Sequence, residues 1–274
     1  MTDQGERYDR IAVGYERWWA PVLAPSANLL LDRIDPSIHG GARDLIDIGV
    51  GTGNLALPAV RRWPTTTVTG IDASSEMLGA ADRIADGLPA ADRTRFRTVP
   101  AVAADLPFAD GSFDLAMSSF VLQLVPSRTK ALREIRRVLR PGGTLAYVTW
   151  LADRTPFAPD GVFDRLLADF GFEDEPGDDR SGDVPSAATA AAELRRAGFR
   201  DVTAEASMLA HPFTVESYIG FLVEFDEEST FESMGRTERR RFLARLREGL
   251  MRLDPDELVF RAPIVYASGR RSAR

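Results

Sequence analysis

The sequence predicts an α/β fold: a doubly wound, mostly parallel sheet of seven strands with helices on both faces. Three observations predict it. Apolar runs of strand length alternate with helix-like stretches through the first 150 residues. One such run, in "DLIDIGVGTGNLAL" (residues 44–57), passes straight into three glycines on alternate positions and then into a helix. A long strand-like stretch ending near residue 212 is answered by a last strand at the end of the sequence, with helical segments between them. That pair reads as antiparallel at a sheet edge, and the helices between read as an insertion over the cleft.

The elements follow in order. The opening "RYDRIAVGYERWW" reads as an amphipathic helix, so residues 1–40 form an N-terminal helical cap. Leu45, Ile46 and Ile48 make strand one, and "GNLALPAVRRW" is its helix. "TTVTGID" (66–72) is strand two, rich in β-branched residues. "SSEMLGAADRIADGL" opens with serine and carries Glu76 in its first turn, a helix start. "RFRTVPAVAADL" contains strand three, and "FDLAMSSF" (113–120) is strand four. "SRTKALREIRRVL" is an amphipathic helix stopped by "RPGG", and "GTLAYVTW" (143–150) is strand five. Residues 41–150 are thus the binding core.

After Trp150 come a helix ("GVFDRLLADFGF"), an acidic glycine-bearing loop ("FEDEPGDDRSGD") and another helix ("SAATAAAELRRAGF"). "RDVTAEASMLAHPF" is a long strand. "TVESYIGFLVEF" and "RTERRRFLARLREGLMRL" are helical and place a lid insertion over residues 211–255. "ELVFRAPIVYASGR" is the last strand. No repeat or low-complexity linker divides the chain, so residues 1–274 read as one domain.

Composition narrows the function. The net charge is −7, which gives nucleic-acid phosphates no general attraction. There is no cysteine, so disulfides, thiolate metal sites and a cysteine nucleophile are excluded. With only His39 and His211, a histidine-rich metal site is not expected. No apolar run reaches the roughly 20 residues that span a bilayer. The polar start "MTDQGERYDR" lacks the apolar region of a signal peptide. The expectation is a cytoplasmic protein without nucleic-acid or membrane partners, as a monomer or homodimer.

The glycine turn asks for a ligand. Gly49, Gly51 and Gly53 let the backbone bend sharply and lie bare against a bound molecule. The following helix offers unpaired N–H groups and a positive dipole end. Two ligands fit. "GTGNLA" matches G-x-G-x-x-A from Gly51, and Asp72 lies 19 residues after Gly53, as in a dinucleotide site. The other fit is a nucleoside ligand without phosphates.

Asp47 before the glycines, Asp72 in "GIDASSEML", "AADLPFADGSFD" after strand three and "LREIRRVLRPGGTLAYVTW" occur in an order and spacing that resemble a known family. It is the class I S-adenosylmethionine-dependent methyltransferases, of the type 11 group with the menaquinone and ubiquinone methyltransferases. The resemblance covers residues 8 to about 150 and implies the Rossmann-like methyltransferase fold. The cofactor it implies is S-adenosylmethionine, leaving as S-adenosylhomocysteine. Asp47 would face its ammonium and sulfonium, whereas beside a pyrophosphate it would be repulsive.

The resemblance also implies a site. Gly49, Gly51 and Gly53 would cradle the cofactor. Asp72, with Ala73 beside it, would accept from the ribose hydroxyls, and Met77 would pack on the adenine. Asp105 would accept from the adenine amino group, with Ala104 and Leu106 beside the ring. Ser119 closes strand four at the cofactor, and Pro141-Gly142-Gly143 turns the chain into strand five. Tyr8 would hold the methionine end, Tyr15 would line the transfer site, and Trp18 and Trp19 would cover the acceptor.

Gln123 stands where many relatives carry histidine, and it can orient a substrate but not take its proton. With Tyr15 and His211 it completes the catalytic candidates. Tyr218 and Phe221 belong to an apolar stripe at helical spacing that would wall a small acceptor, and Glu224 reads as solvated.

Plainer roles stay open beside these. Asp72 also suits a helix N-terminus, Asp105 a turn, His211 a cap or surface position, and the tryptophans and the stripe a core. The implied reaction is methyl transfer to a small organic molecule, at oxygen first, with carbon or nitrogen open. A binding module that only retains the cofactor is the first alternative, kept open by Gln123. A nicotinamide oxidoreductase is the second. It would call for a Tyr-x-x-x-Lys pair, yet Lys130 is the sole lysine and residue 126 is proline.

Overall fold

The computed structural model describes residues 11–153, 155–172 and 181–273. A single seven-stranded sheet runs in the order β3-β2-β1-β4-β5-β7-β6. The strands are β1 (Asp44–Ile48), β2 (Thr67–Asp72), β3 (Phe96–Pro100), β4 (Phe113–Ser119), β5 (Leu139–Trp150), β6 (Phe199–Pro212) and β7 (Val259–Arg271). β1 pairs in parallel with β2 and β4, β2 with β3, and β4 with β5. β7 runs antiparallel to both β5 and β6. The expected antiparallel pair therefore closes that side of the sheet, with the reversed strand one place in from the rim.

The central strands are covered on both faces, which is why β1 reads as a nearly unbroken apolar run. Leu45, Ile46 and Ile48 are each 0% exposed. Two apolar clusters result. One packs the Ala20–His39 helix, Leu57 and Val60 and the inserted helices onto one face. The other packs Leu132, Ile135 and Leu194 onto the opposite face. Helix starts follow the caps that the sequence offers: Ser74 accepts from the Met77 N–H, and Thr214 and Ser217 form a reciprocal capping box.

β5 begins at Leu139, four residues before the expected Gly143. Pro141 and Gly142 thus lie inside the strand, where the β4–β5 register shifts between Phe113 and Leu115. The reason is local: proline cannot donate to a ladder, and the chain absorbs it in an irregularity rather than in a separate turn.

Between β6 and β7 lie the Val215–Phe221 helix, a π-helical stretch Leu222–Asp226, and the helices Glu228–Ser233 and Arg236–Leu250. Phe231 and Phe242 (1% and 0% exposed) anchor this insertion on Phe163 of the Ala158–Phe170 helix. At the other end of the chain a second π-helical stretch, Tyr15–Trp19, leads into Ala20–His39.

Candidate active site

A cavity opens at the carboxyl ends of the parallel strands, next to the β1–β4 neighbours where the strand order reverses. That crevice is where open α/β sheets bind ligands. Its wall takes residues from the end of β1 and the glycine turn, the end of β2, the segment after β3, and the turn after β4. Tyr15 and Leu23 close it from the N-terminal side.

The glycine turn is built for a close approach. Gly49 has φ +72°, and a side chain there would drive a Cβ to 2.3 Å from Val121. Gly51 has φ +52° and faces open space in the cavity wall. Its N–H donates to Asp72 Oδ2 at 2.9 Å, and the Ser74 N–H donates to Oδ1 at 3.0 Å. Two backbone donors therefore fix the Asp72 carboxylate at the tip of β2, in the cavity wall.

Asp47 is the site's unusual group. It lines the cavity yet is 1% exposed, and neither carboxylate oxygen has a hydrogen-bond partner. The Ala56 N–H lies near and offsets this in part, without closing a hydrogen bond. Burial first, and then the negative Asp72, push the Asp47 pKa well above the usual carboxylate range. A buried, unpartnered carboxylate is costly unless a cation or donor meets it. The cavity beside it is the place from which one could come. A phosphate placed there would add a like charge, so the residues fit a cationic nucleoside and disfavour a pyrophosphate.

The cavity also contains Ala73, Met77, Ala104 and Ser119. Gly53 sits behind its rim, with φ +91° and its Cα against Leu57. Asp105 and Leu106 are not in the wall. Asp105 is exposed, and its N–H donates to Val102 O at 3.0 Å, which turns the chain away after Ala104. Leu106 is 3% exposed, in the apolar cluster on the opposite face. Tyr8 lies outside the described residues.

The catalytic candidates separate. Tyr15 lines the cavity. Gln123 does not: its Nε2–H donates to Phe120 O at 2.8 Å, and its Oε1 accepts from Thr149 at 2.6 Å. One end of the amide closes the post-β4 turn on itself and the other ties it to β5. His211 lies near the end of β6, opposite Phe260 and edge-on to Phe213 at 4.8 Å, outside the cavity wall. Partial burial holds its pKa below the ordinary histidine value.

The acceptor candidates lie one layer out. Tyr218 is 1% exposed and donates to Asp160 at 2.7 Å, so it is a core residue rather than a pocket wall. Trp18 donates from Nε1 to Glu224 at 2.8 Å. Trp19 packs between Phe221 (5.6 Å between centroids) and Trp150 (6.3 Å). Trp150 in turn meets Phe120 at 4.2 Å, and Phe120 lines the cavity. Sequence reasoning missed Phe120, whose φ of +55° is rare for a bulky residue and aims its ring from the end of β4. It also missed Leu23, Val121 and Leu124, each within a few residues of a recognised strand end or cap position.

A mostly parallel sheet with a reversed seventh strand, and a cleft at its switch point, defines a Rossmann-like fold. Comparison with known proteins narrows that class. A family model described as "Methyltransferase domain" matches residues 46–147. The ubiquinone/menaquinone biosynthesis C-methyltransferase UbiE of Paracoccus denitrificans is 37% identical over 134 residues, 45% of this chain and 53% of that one. A malonyl-[acyl-carrier protein] O-methyltransferase of Geobacter sulfurreducens is 34% identical over 163 residues, 58% of this chain and 56% of that one.

Among solved structures, the [4+2]-cyclase SpnF matches with TM-score 0.57 at 21% identity, over 92% of this chain and 82% of that one. Haemonchus contortus phosphoethanolamine N-methyltransferase 2 matches with TM-score 0.53 at 18% identity, over 90% of this chain and 52% of that one. The chain spans about half the length of the curated relatives it matches. Over residues 46–147 the chain is thus similar to the S-adenosylmethionine-dependent methyltransferases.

Proposed function

We propose that this protein transfers a methyl group from S-adenosylmethionine to a small organic acceptor. The observation that carries the reading is Asp47: a fully buried carboxylate with no partner, facing a cavity floored by bare glycine backbone. The cofactor supplies a methyl group already activated on a sulfonium, so the protein's tasks are binding, alignment and exclusion of water. Asp47 meets the cationic end. Asp72, preset by the Gly51 and Ser74 N–H groups, accepts from the ribose. Met77, Ala103 and Ala104 give the base an apolar bed.

On the acceptor side the wall is Tyr15, Leu23, Phe120 and Leu124. Neither Gln123 nor His211 stands there, so among the described residues this wall holds no histidine or carboxylate base beyond the cofactor end. Such a wall suits an acceptor that gives up its proton readily, a phenol or an acidic carbon, or a neutral amine that needs no base. The relatives named above are a C- and an O-methyltransferase, which supports keeping oxygen first and carbon beside it.

Isothermal titration tests the binding half. Stoichiometric binding of S-adenosylhomocysteine is expected, and no heat at millimolar ligand would overturn the reading. Asp72→Ala is expected to weaken binding about tenfold or more, because hydrogen bonds to a charged group are worth roughly 1.5–3 kcal/mol. Gln123→Ala should change it little, and the reverse ranking would overturn the assignment. Labelled methyl donor with a metabolite extract, read by mass spectrometry, tests the transfer half. A second reading, a module that binds the cofactor without transfer, is supported by the baseless acceptor wall and by a fold neighbour titled a cyclase. Binding without any labelled product would favour it.

A further inference from the structure

The two π-helical stretches among the described residues face each other, although about 200 residues separate them. Tyr15–Trp19 precedes the long N-terminal helix, and Leu222–Asp226 lies in the insertion between β6 and β7. π-helical turns are rare and concentrate at functional sites. Here they interlock. The Gly14 Cα sits so close to the Glu224 carbonyl that an added Cβ would lie 2.3 Å from its oxygen. The Trp18 ring lies over Gly220, where a Cβ would come within 2.3 Å of the ring. Tyr15 meets Phe225 edge-on at 6.1 Å, and Trp19 stacks on Phe225 at 6.3 Å.

A polar side chain, Glu224, ties the two stretches. Glu224 Oε2 accepts from Trp18 Nε1 at 2.8 Å and from Arg17 Nη1 at 2.7 Å. The cavity feels this tie through a single neighbour. Tyr15, on the same turn as Arg17 and Trp18, is in the cavity wall, while no residue of the insertion reaches it. The N-terminal segment is also anchored on the binding core. Glu16 pairs with Arg83 at 2.6 Å, and Asn54 of the glycine turn donates to Ala20 O at 2.7 Å.

We propose that Glu224 is a positioning residue for the cofactor cavity: by holding Trp18 and Arg17 it fixes the π-turn that sets Tyr15 against the bound cofactor. The proposal rests on the methyltransferase reading for the identity of the ligand and on the geometry alone for the coupling. The Arg17 and Glu224 side chains are 64% and 43% exposed, so their attraction is screened and the tie can open and reclose. When it opens, Tyr15 loses its fixed backbone and the N-terminal wall of the cavity loosens. The insertion thereby reports to the cofactor site without touching it. Glu224 acts through Trp18 and touches no reacting atom.

The test uses the full chain. Dissociation of S-adenosylhomocysteine is followed by stopped-flow tryptophan fluorescence at 25 °C in wild type, Glu224→Ala, Glu224→Gln and the exposed control Glu248→Ala. Glu224→Ala is expected to speed dissociation about tenfold. Glu224→Gln should restore most of the wild-type rate, since its amide oxygen still accepts from Trp18, and Glu248→Ala should match wild type. A merely structural role would lower the melting temperature and leave the rate within twofold, and that result would overturn the proposal. So would a Gln variant as fast as Ala. Hydrogen–deuterium exchange of the unliganded chain separates this proposal from the methyltransferase reading. Faster exchange at residues 15–19 in Glu224→Ala, with 44–72 unchanged, supports the coupling even where the wild type binds no S-adenosylhomocysteine. Unchanged exchange at 15–19 overturns it.

Discussion

At the residue scale the telling group is Asp47, whose carboxylate is buried, unpartnered and beside Asp72. Its folded pKa is raised, so the folded state holds the proton more tightly than the unfolded chain does. Its contribution to stability is present in full below the ordinary carboxylate value of 3.8 and is lost as pH rises toward the raised folded value. The melting temperature of the unliganded protein should therefore fall over that window. Asp160, raised by burial as well, contributes in the same direction, so the readout is a difference. Asp47→Asn should have the flatter pH profile. A cationic ligand reverses the preference, because it favours the ionised carboxylate. Binding of S-adenosylmethionine should release a proton in wild type and strengthen with pH across the same window. Titrations in two buffers of different ionisation heat measure the proton count. Equal release from wild type and Asp47→Asn would refute this account of the carboxylate.

At the element scale the insertion is held by aromatic packing rather than by its own helix propensity. Its Arg236–Leu250 helix buries Phe242, Leu246 and Leu250 at 0% exposure, with Phe242 against Phe163, Phe170 and Phe231. Phe242→Ala should cost about 3–5 kcal/mol, the usual range for a buried phenylalanine. Urea unfolding followed by circular dichroism checks this, and a midpoint shift equivalent to under 1 kcal/mol would contradict it.

The same scale explains what the sequence made legible. Strand ends and the glycine turn carry their signal within a dozen residues, and Asp47, Gly49, Gly51, Asp72, Ala73, Met77, Ala104 and Ser119 all line the one cavity. Asp105 and Leu106 lie outside the cavity wall because one backbone hydrogen bond, Asp105 N–H to Val102 O, turns the chain away. Asp105, two residues before Pro107, is itself the mark of that turn, the plainer role the sequence left open for it. Gln123 and Tyr218 lie outside the cavity wall, where partners far along the chain, Thr149 and Asp160, hold their polar ends. Glu224 read as a solvated charge, and only the fold brings it to Trp18. Acceptor walls and lids depend on such distant contacts, which local pattern does not encode.

At the scale of the whole molecule, charge and cavity act together. The chain carries a net −7, and its cavity adds Asp47 and Asp72 to the wall. S-Adenosylmethionine carries one positive charge more than S-adenosylhomocysteine, the charge lost with the methyl group. A negatively charged protein around a cleft of low polarity focuses its field there and speeds the arrival of a cation. The product is neutral overall and gains nothing from that field. The donor should therefore associate faster than the product at low salt, and the advantage should shrink as ions screen it. The screening length falls from roughly 30 Å at 0.01 M to 3 Å at 1 M salt, so nearly the whole long-range effect vanishes within that range. Stopped-flow association rates for the two ligands, measured across this series, decide the matter. The expected pattern is a donor rate that falls several-fold and a product rate that stays within twofold. Parallel slopes for both ligands would place the discrimination in short-range contacts at Asp47 alone. A donor rate that rises with salt would mean that the approaching cation meets a net positive potential, and would overturn this account.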